Sequence, residues 1–150
     1  MKTFRFRLEP VVTLRGWEEE RARTAYAQAL GHEQRVLAQL TEIDARRDAD
    51  LASYLKAAEK PVSATVRAQQ WKHLHALDRE RVDATNKLAG ARRIREQKMK
   101  LLIDAHRRVQ ILESLRSRQQ QAHLAAELRR EERELEDIVN ARHQADASIL

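Results

Sequence analysis

The sequence predicts an all-α protein, two long helices folded into an antiparallel coiled-coil hairpin, and three observations carry that prediction. The 150 residues contain only three Gly and two Pro, too few for the turns that a sandwich, a barrel or an alternating strand-helix fold needs every ten residues or so. Alanine supplies 23 of the apolar residues, leaving 40 bulky apolar side chains against 52 charges, which cannot fill a thick core. Ala, Glu, Leu, Arg, Lys and Gln dominate, a composition that suits long helices.

The first element follows from Pro10. It stands ahead of Val11, Val12 and Leu14, and proline fits the first turn of a helix, where its missing N–H satisfies nothing in any case. Residues 1–9 form an extended lead-in and helix one spans 10–57. The next break lies at 58–63, where Pro61 removes a donor and biases Lys60 away from helix, and Ser63 can cap the second helix. Helix two then spans 64–143, and 144–150 form a frayed tail of the same single domain. Gly16, Gly31 and Gly90 fall inside helical patterns, which they weaken without ending.

The heptad frame predicts the seam. In helix one it takes Tyr26, Leu30, Leu37, Leu40, Leu51 and Tyr54, with Val36, Ile43 and Leu55 broadening the stripe. In helix two it takes Leu74, Leu77, Ala84, Leu88, Ala91, Leu102, Ala105, Val109 and Leu112. Asp44, Arg47, Arg81, Arg95 and Lys98 interrupt the frame, and charges there fix register while weakening packing. With the turn centred near residue 60, facing numbers add to about 121. Leu51 then meets Gln70 and Trp71, Leu37 meets Ala84, and Leu30 meets Ala91. Helix one runs out of partner near Ile111, so helix two overhangs by roughly 30 residues, about 45 Å. The overhanging C-terminal arm carries Leu124, Leu128, Leu135, Ile138 and Val139 with no mate in the hairpin, which makes it a candidate docking arm.

Charge and chemistry narrow the function classes. The net charge is +6 and the pI about 10.0, compatible with nucleic acid, an anionic membrane or an acidic protein. From Lys87 to Arg118 ten cations face three acids; Lys2, Arg5, Arg7 and Arg15 fold back beside them, whereas Glu127 to Asp137 is acidic. The end bearing both termini is therefore expected to be basic. Six histidines show no metal-ligand spacing: His73 and His75 are two apart and diverge on a helix. No phosphate-cradling Gly loop and no nucleophile-base set occurs. The expectation is a non-enzyme that binds no metal and no cofactor. With no Cys and no run near the ~18 apolar residues of a span, the chain reads as cytoplasmic. Trp71 is expected to pack at the hinge against Leu51, and Trp17 to join Phe4, Phe6 and Leu8 in an aromatic cluster.

The block Phe4-Arg5-Phe6-Arg7-Leu8-Glu9-Pro10-Val11-Val12-Thr13-Leu14-Arg15, the run Glu18-Glu19-Glu20, Trp71 early in helix two, and Leu112-Glu113-Ser114-Leu115-Arg116 with Arg130-Glu131-Glu132-Arg133-Glu134-Leu135-Glu136-Asp137-Ile138 resemble the flagellar export stalk family, FliJ. Glu136-Asp137 stands in reverse order to that family's acidic pair. The resemblance implies a stalk of the bacterial type III flagellar export apparatus, at the cytoplasmic face of the inner membrane. Its partners would be a hexameric export ATPase, a membrane-embedded export gate and, further, export chaperones. It implies ATPase contacts at Arg5, Arg7, Arg15, Leu112, Arg116, Arg118, Leu128 and Leu135, and gate contacts at Gln39, Ile43, Leu77 and Ala84. Three other readings stand beside it: the equivalent stalk of a virulence-type secretion system; a basic coiled-coil nucleic-acid binder, disfavoured because the cations spread around the helix and no docking motif accompanies them; and a homodimeric scaffold through the overhanging arm, which the arm's charges allow.

Overall fold

A computed structural model of the chain describes residues 3–147. It contains two helices, α1 (Glu9–Ala57) and α2 (Ala64–Ala147), packed against each other as an antiparallel helical hairpin with no strand among the described residues. Glu20–Asp104 forms one compact unit, and the residues up to Glu19 and from Ala105 form another.

The ends of the helices have local causes. At α1 the N–H of Val12 reaches the Leu8 carbonyl at 3.0 Å, so Pro10 lies in the first turn, where no amide hydrogen is needed. Ser63 caps α2: its side-chain oxygen accepts from Val66 N–H at 3.4 Å and its carbonyl from Arg67 N–H at 3.2 Å. Helix α2 continues four residues beyond the expected 143, and positions 148–150 of the expected frayed tail lie outside the described residues. Thr24, Thr41 and Thr85 turn their hydroxyls back onto the carbonyl four residues earlier, which satisfies them within their own helix.

In Glu20–Asp104 the α2 seam is the expected one. Leu74, Leu77, Ala84, Leu88 and Ala91 are all buried. The α1 seam differs by one residue from the expected frame: Ala29, Val36 and Ile43 are buried, whereas Leu37 and Leu51 stand 43% and 38% exposed. Both rows keep heptad spacing. Between Ala22 and Ile43 the observed row is apolar, while the expected one carries Arg23 and Asp44; taking such charges out of water is costly, which favours the observed row over that stretch. Its next position, Asp50, is again charged and, like Asp44, stays partly exposed beside the seam. Asp44 accepts from Arg81 Nε at 2.6 Å across the hairpin.

The register also differs from the expected one. Asp44 with Arg81, Arg47 with Asp78, and Tyr54 with Trp71 each carry numbers adding to 125, not 121. In the other unit Glu19 with His106 and Glu9 with Arg116 add to 125 as well. The reason lies in the turn. Ala58, Glu59 and Lys60 keep donating to the carbonyls of Tyr54, Lys56 and Ala57, so helical bonding carries past Ala57 and the reversal itself is Pro61–Ser63. Leu37 therefore lies level with Leu88 rather than Ala84, and Leu30 level with Arg95 rather than Ala91. Ion pairs of this exposure contribute little stability one at a time, but a four-residue slip would break all of them together, so they specify the pairing.

Arg95 sits within that seam and pairs with Glu33, whose side chain is 15% exposed. The hydrogen bond and charge of Glu33 raise the Arg95 guanidinium above its usual pKa, and Tyr26 adds to the effect. Arg47 is raised in the same way, first by its hydrogen bond to Asp78 and then by that carboxylate's charge.

Candidate functional site

Two surfaces, one in each unit, hold the residues singled out from the sequence. The first lies in the unit formed by the chain ends. Residues 4–7 alternate: Phe4 is half-buried, Arg5 exposed, Phe6 only 6% exposed, Arg7 exposed. Buried and exposed side chains thus alternate along the lead-in, which anchors itself with its rings and leaves both arginines exposed. Phe4 meets His123 edge-on, centroids 5.7 Å apart. Arg5 and Arg7 line an open groove with Glu9, Pro10 and Thr13.

The remaining expected contacts of this unit separate by circumstance. Arg15 is held by Glu18 at 2.6 Å, and Arg116 by Glu9 at 3.1 Å, so both are engaged within the fold. Leu112 is half-buried on the seam. Arg118 is exposed and lines a shallow groove with Arg107, Ile111 and Leu115. Leu128 and Leu135 stand 56% and 63% exposed on the arm. Because α1 begins level with Arg116 and the lead-in reaches His123, the arm loses cover only beyond about residue 124, later than the expected Ile111.

Sequence reasoning overlooked Leu14 and Ile111 as surface residues and placed Trp17 in an aromatic cluster. Leu14 is 49% exposed, Trp17 67% and Ile111 67%. Leu14 and Ile111 carry numbers adding to 125 and stand at the same level of the hairpin. The signal was available: in the seam frame that includes Ala22 and Ala29, Trp17 falls opposite the seam and Leu14 well off it.

The second surface belongs to Glu20–Asp104. Trp71 is 54% exposed rather than packed as core. Its ring stands perpendicular to His75 at 4.8 Å and tilts against Tyr54 at 6.3 Å. Together with Arg47, Leu51, Leu74 and Asp78, Trp71 and His75 line a cavity of about 180 Å³. Nearby, His73 bonds Asp50 at 2.7 Å. Of the four positions expected to meet a gate, Gln39 is exposed, but Ile43, Leu77 and Ala84 lie in the seam at 9%, 3% and 7% exposure. Those three side chains are consumed by helix pairing and offer a partner no surface.

Among the described residues no cluster could hold a metal ion, and no helix is long and apolar enough to cross a membrane. What the two surfaces can do is dock. One offers guanidiniums beside exposed aliphatic groups, the other an indole and an imidazole framed by charge. Aromatic and arginine side chains of this kind are the usual anchors of protein interfaces.

The family model described as flagellar FliJ protein matches residues 4–148. No curated protein matches the chain. Among solved structures the fold is similar to that of CT670 from Chlamydia trachomatis, described as a YscO homologue, with a TM-score of 0.60 at 15% identity, over 97% of this chain and 99% of that one. At that identity the likeness is one of fold.

Proposed function

Because the chain belongs to the flagellar FliJ family, we propose that it is a non-enzymatic stalk of the type III export apparatus. In this reading it binds the hexameric export ATPase, promotes its assembly and turnover, and links it to the export gate at the cytoplasmic face of the inner membrane. Export chaperones would be further partners. The observation that carries the ATPase contact is the co-occurrence, in one unit, of the outward-facing Arg5, Arg7 and Arg118 with the uncovered Leu128 and Leu135.

A stalk inside a ring must meet several subunits at once. Long guanidinium side chains suit that task, because each reaches a carboxylate or backbone carbonyl from a range of positions and keeps its charge throughout. The exposed aliphatic groups add contact area that is not screened by salt. Arg15, Arg116 and Leu112 contribute by shaping this end rather than by direct contact, since each is already engaged in the fold. On the gate side Gln39 remains as a direct contact, while Ile43, Leu77 and Ala84 hold the helices that present it. The Trp71, His75 and Leu51 cavity is the better-formed docking surface of that unit.

The test is to mix the purified protein with its cognate export ATPase and follow hexamer formation by light scattering. The expected result is hexamer at ATPase concentrations where the ATPase alone stays monomeric. A scattering profile indifferent to the added protein would overturn the reading.

A further inference from the structure

The arm has an uncovered stripe and a charge pattern that selects its occupant. Every residue from 128 to 145 is exposed. Along it, Leu128, Glu131, Leu135, Ile138, Arg142 and Ala145 recur at alternating intervals of three and four, the spacing of a two-helix seam. Neither Glu131 nor Arg142 makes an ion pair among the described residues; the arm's own pair, Arg130 with Glu134 at 3.0 Å, involves positions off this stripe.

We propose that this stripe is covered by the same stripe of a second copy, running antiparallel, with Glu131 of each chain against the partner's Arg142. In that register Leu135 meets the partner's Ile138 and Leu128 the partner's Ala145, each layer occurring twice by the twofold axis. Charge excludes the neighbouring arrangements. A slip of one heptad in one direction sets Glu131 on Leu135 and Arg142 on Leu124; a slip in the other sets Arg142 on Ile138. Each buries a charge against an aliphatic group. A parallel, in-register pair sets Glu131 on Glu131 and Arg142 on Arg142. Of these, only the antiparallel arrangement in this register matches both charges of the stripe with their opposites and its Leu128, Leu135 and Ile138 with apolar groups, which is how a charged pair within a seam specifies orientation.

The pairing is short. Six layers, two of them charged, amount to about two and a half heptads, below the three to four that sustain a strong coiled coil. The dimer is therefore weak, with a dissociation constant in the micromolar range or above, and it dissociates when another surface takes the stripe. Under the proposed function that surface is the export ATPase, through Leu128 and Leu135. The dimer would then be the resting form of the free stalk, keeping its aliphatic stripe from non-specific contacts. This last step rests on the ATPase reading; the pairing itself does not.

The experiment uses the full chain alone, so it succeeds or fails independently of ATPase binding. Sedimentation equilibrium over a wide concentration range should show the mass rising from 17.5 kDa toward twice that value. Glu131→Arg alone and Arg142→Glu alone should each weaken association about tenfold or more, and the double exchange should restore it. Leu135→Glu should abolish it, with circular dichroism confirming that each variant stays helical. A mass of 17.5 kDa at every concentration overturns the proposal. So does a dimer that either single reversal leaves intact, or one that the double exchange fails to restore.

Discussion

Arg116 donates to the Glu9 carboxylate at 3.1 Å, joining residues 107 apart in the chain and fixing the first turn of α1 against α2. A cation that reads from the sequence as a partner contact is thus engaged within the fold. Arg118, two residues on, is exposed and lines an open groove instead.

The pair gives a way to separate structure from docking. Arg116→Glu should lower stability by up to about 1 kcal/mol, the scale of an exposed ion pair, because it also sets two carboxylates together. Arg118→Glu should leave stability unchanged and weaken ATPase engagement. Thermal melts of both variants beside the binding assay check this; equal melting shifts would contradict it.

The seam assignment predicts unequal losses from equal truncations. Leu77 is 3% exposed and Leu37 43%. Leu77→Ala should destabilise by roughly 2–5 kcal/mol, as deletion of a buried leucine side chain does. Leu37→Ala should remove well under about 1 kcal/mol. Urea unfolding followed by circular dichroism distinguishes the two, and similar midpoints would mean that the frame containing Leu37 is the real seam.

Gly16 and Gly90 are each in mid-helix with nothing within 4 Å of the place a Cβ would occupy. Gly16→Ala and Gly90→Ala should each stabilise the protein by about 0.5–1 kcal/mol, the helix-propensity difference between the two residues. A lower unfolding midpoint in either variant would mean that the site is not free.

Phe6 anchors the lead-in from a buried position. Phe6→Ala should release residues 4–8 while leaving both helices in place. Limited proteolysis should then remove the N-terminal residues several times faster than in the parent, with little change in helical signal. Equal cleavage rates would show that the lead-in is held by other contacts.

Much of this architecture is legible in the sequence, and the exceptions have specific causes. The scarcity of Gly and Pro, Pro10, Pro61 and Ser63 disclose two helices and their turn, because each acts locally through backbone chemistry. The α2 seam is equally clear, since Leu74, Leu77, Ala84, Leu88 and Ala91 form one unambiguous row. In α1 two rows share heptad spacing, and side-chain size favours Leu30 and Leu37 whereas the cost of burying Arg23 and Asp44 favours Ala29 and Val36. Size dominates on inspection; from Ala22 to Ile43 charge favours the other row. The register is set by three residues, Ala58, Glu59 and Lys60, that continue helical bonding beyond Ala57, and nothing in their identity announces this. Ile43, Leu77 and Ala84 illustrate the hazard for sites: positions carried over from a family by rough alignment fall on the seam as readily as on the surface, because coiled-coil heptads resemble one another.

ATP hydrolysis by the cognate export ATPase, titrated with this protein, bears most directly on the stalk reading. The parent chain should raise the rate in a saturable manner, and the Arg5→Glu, Arg7→Glu, Arg118→Glu triple variant should lose that effect while melting at the parent's temperature. A rate unchanged by the parent chain, or raised equally by the triple variant, would contradict it.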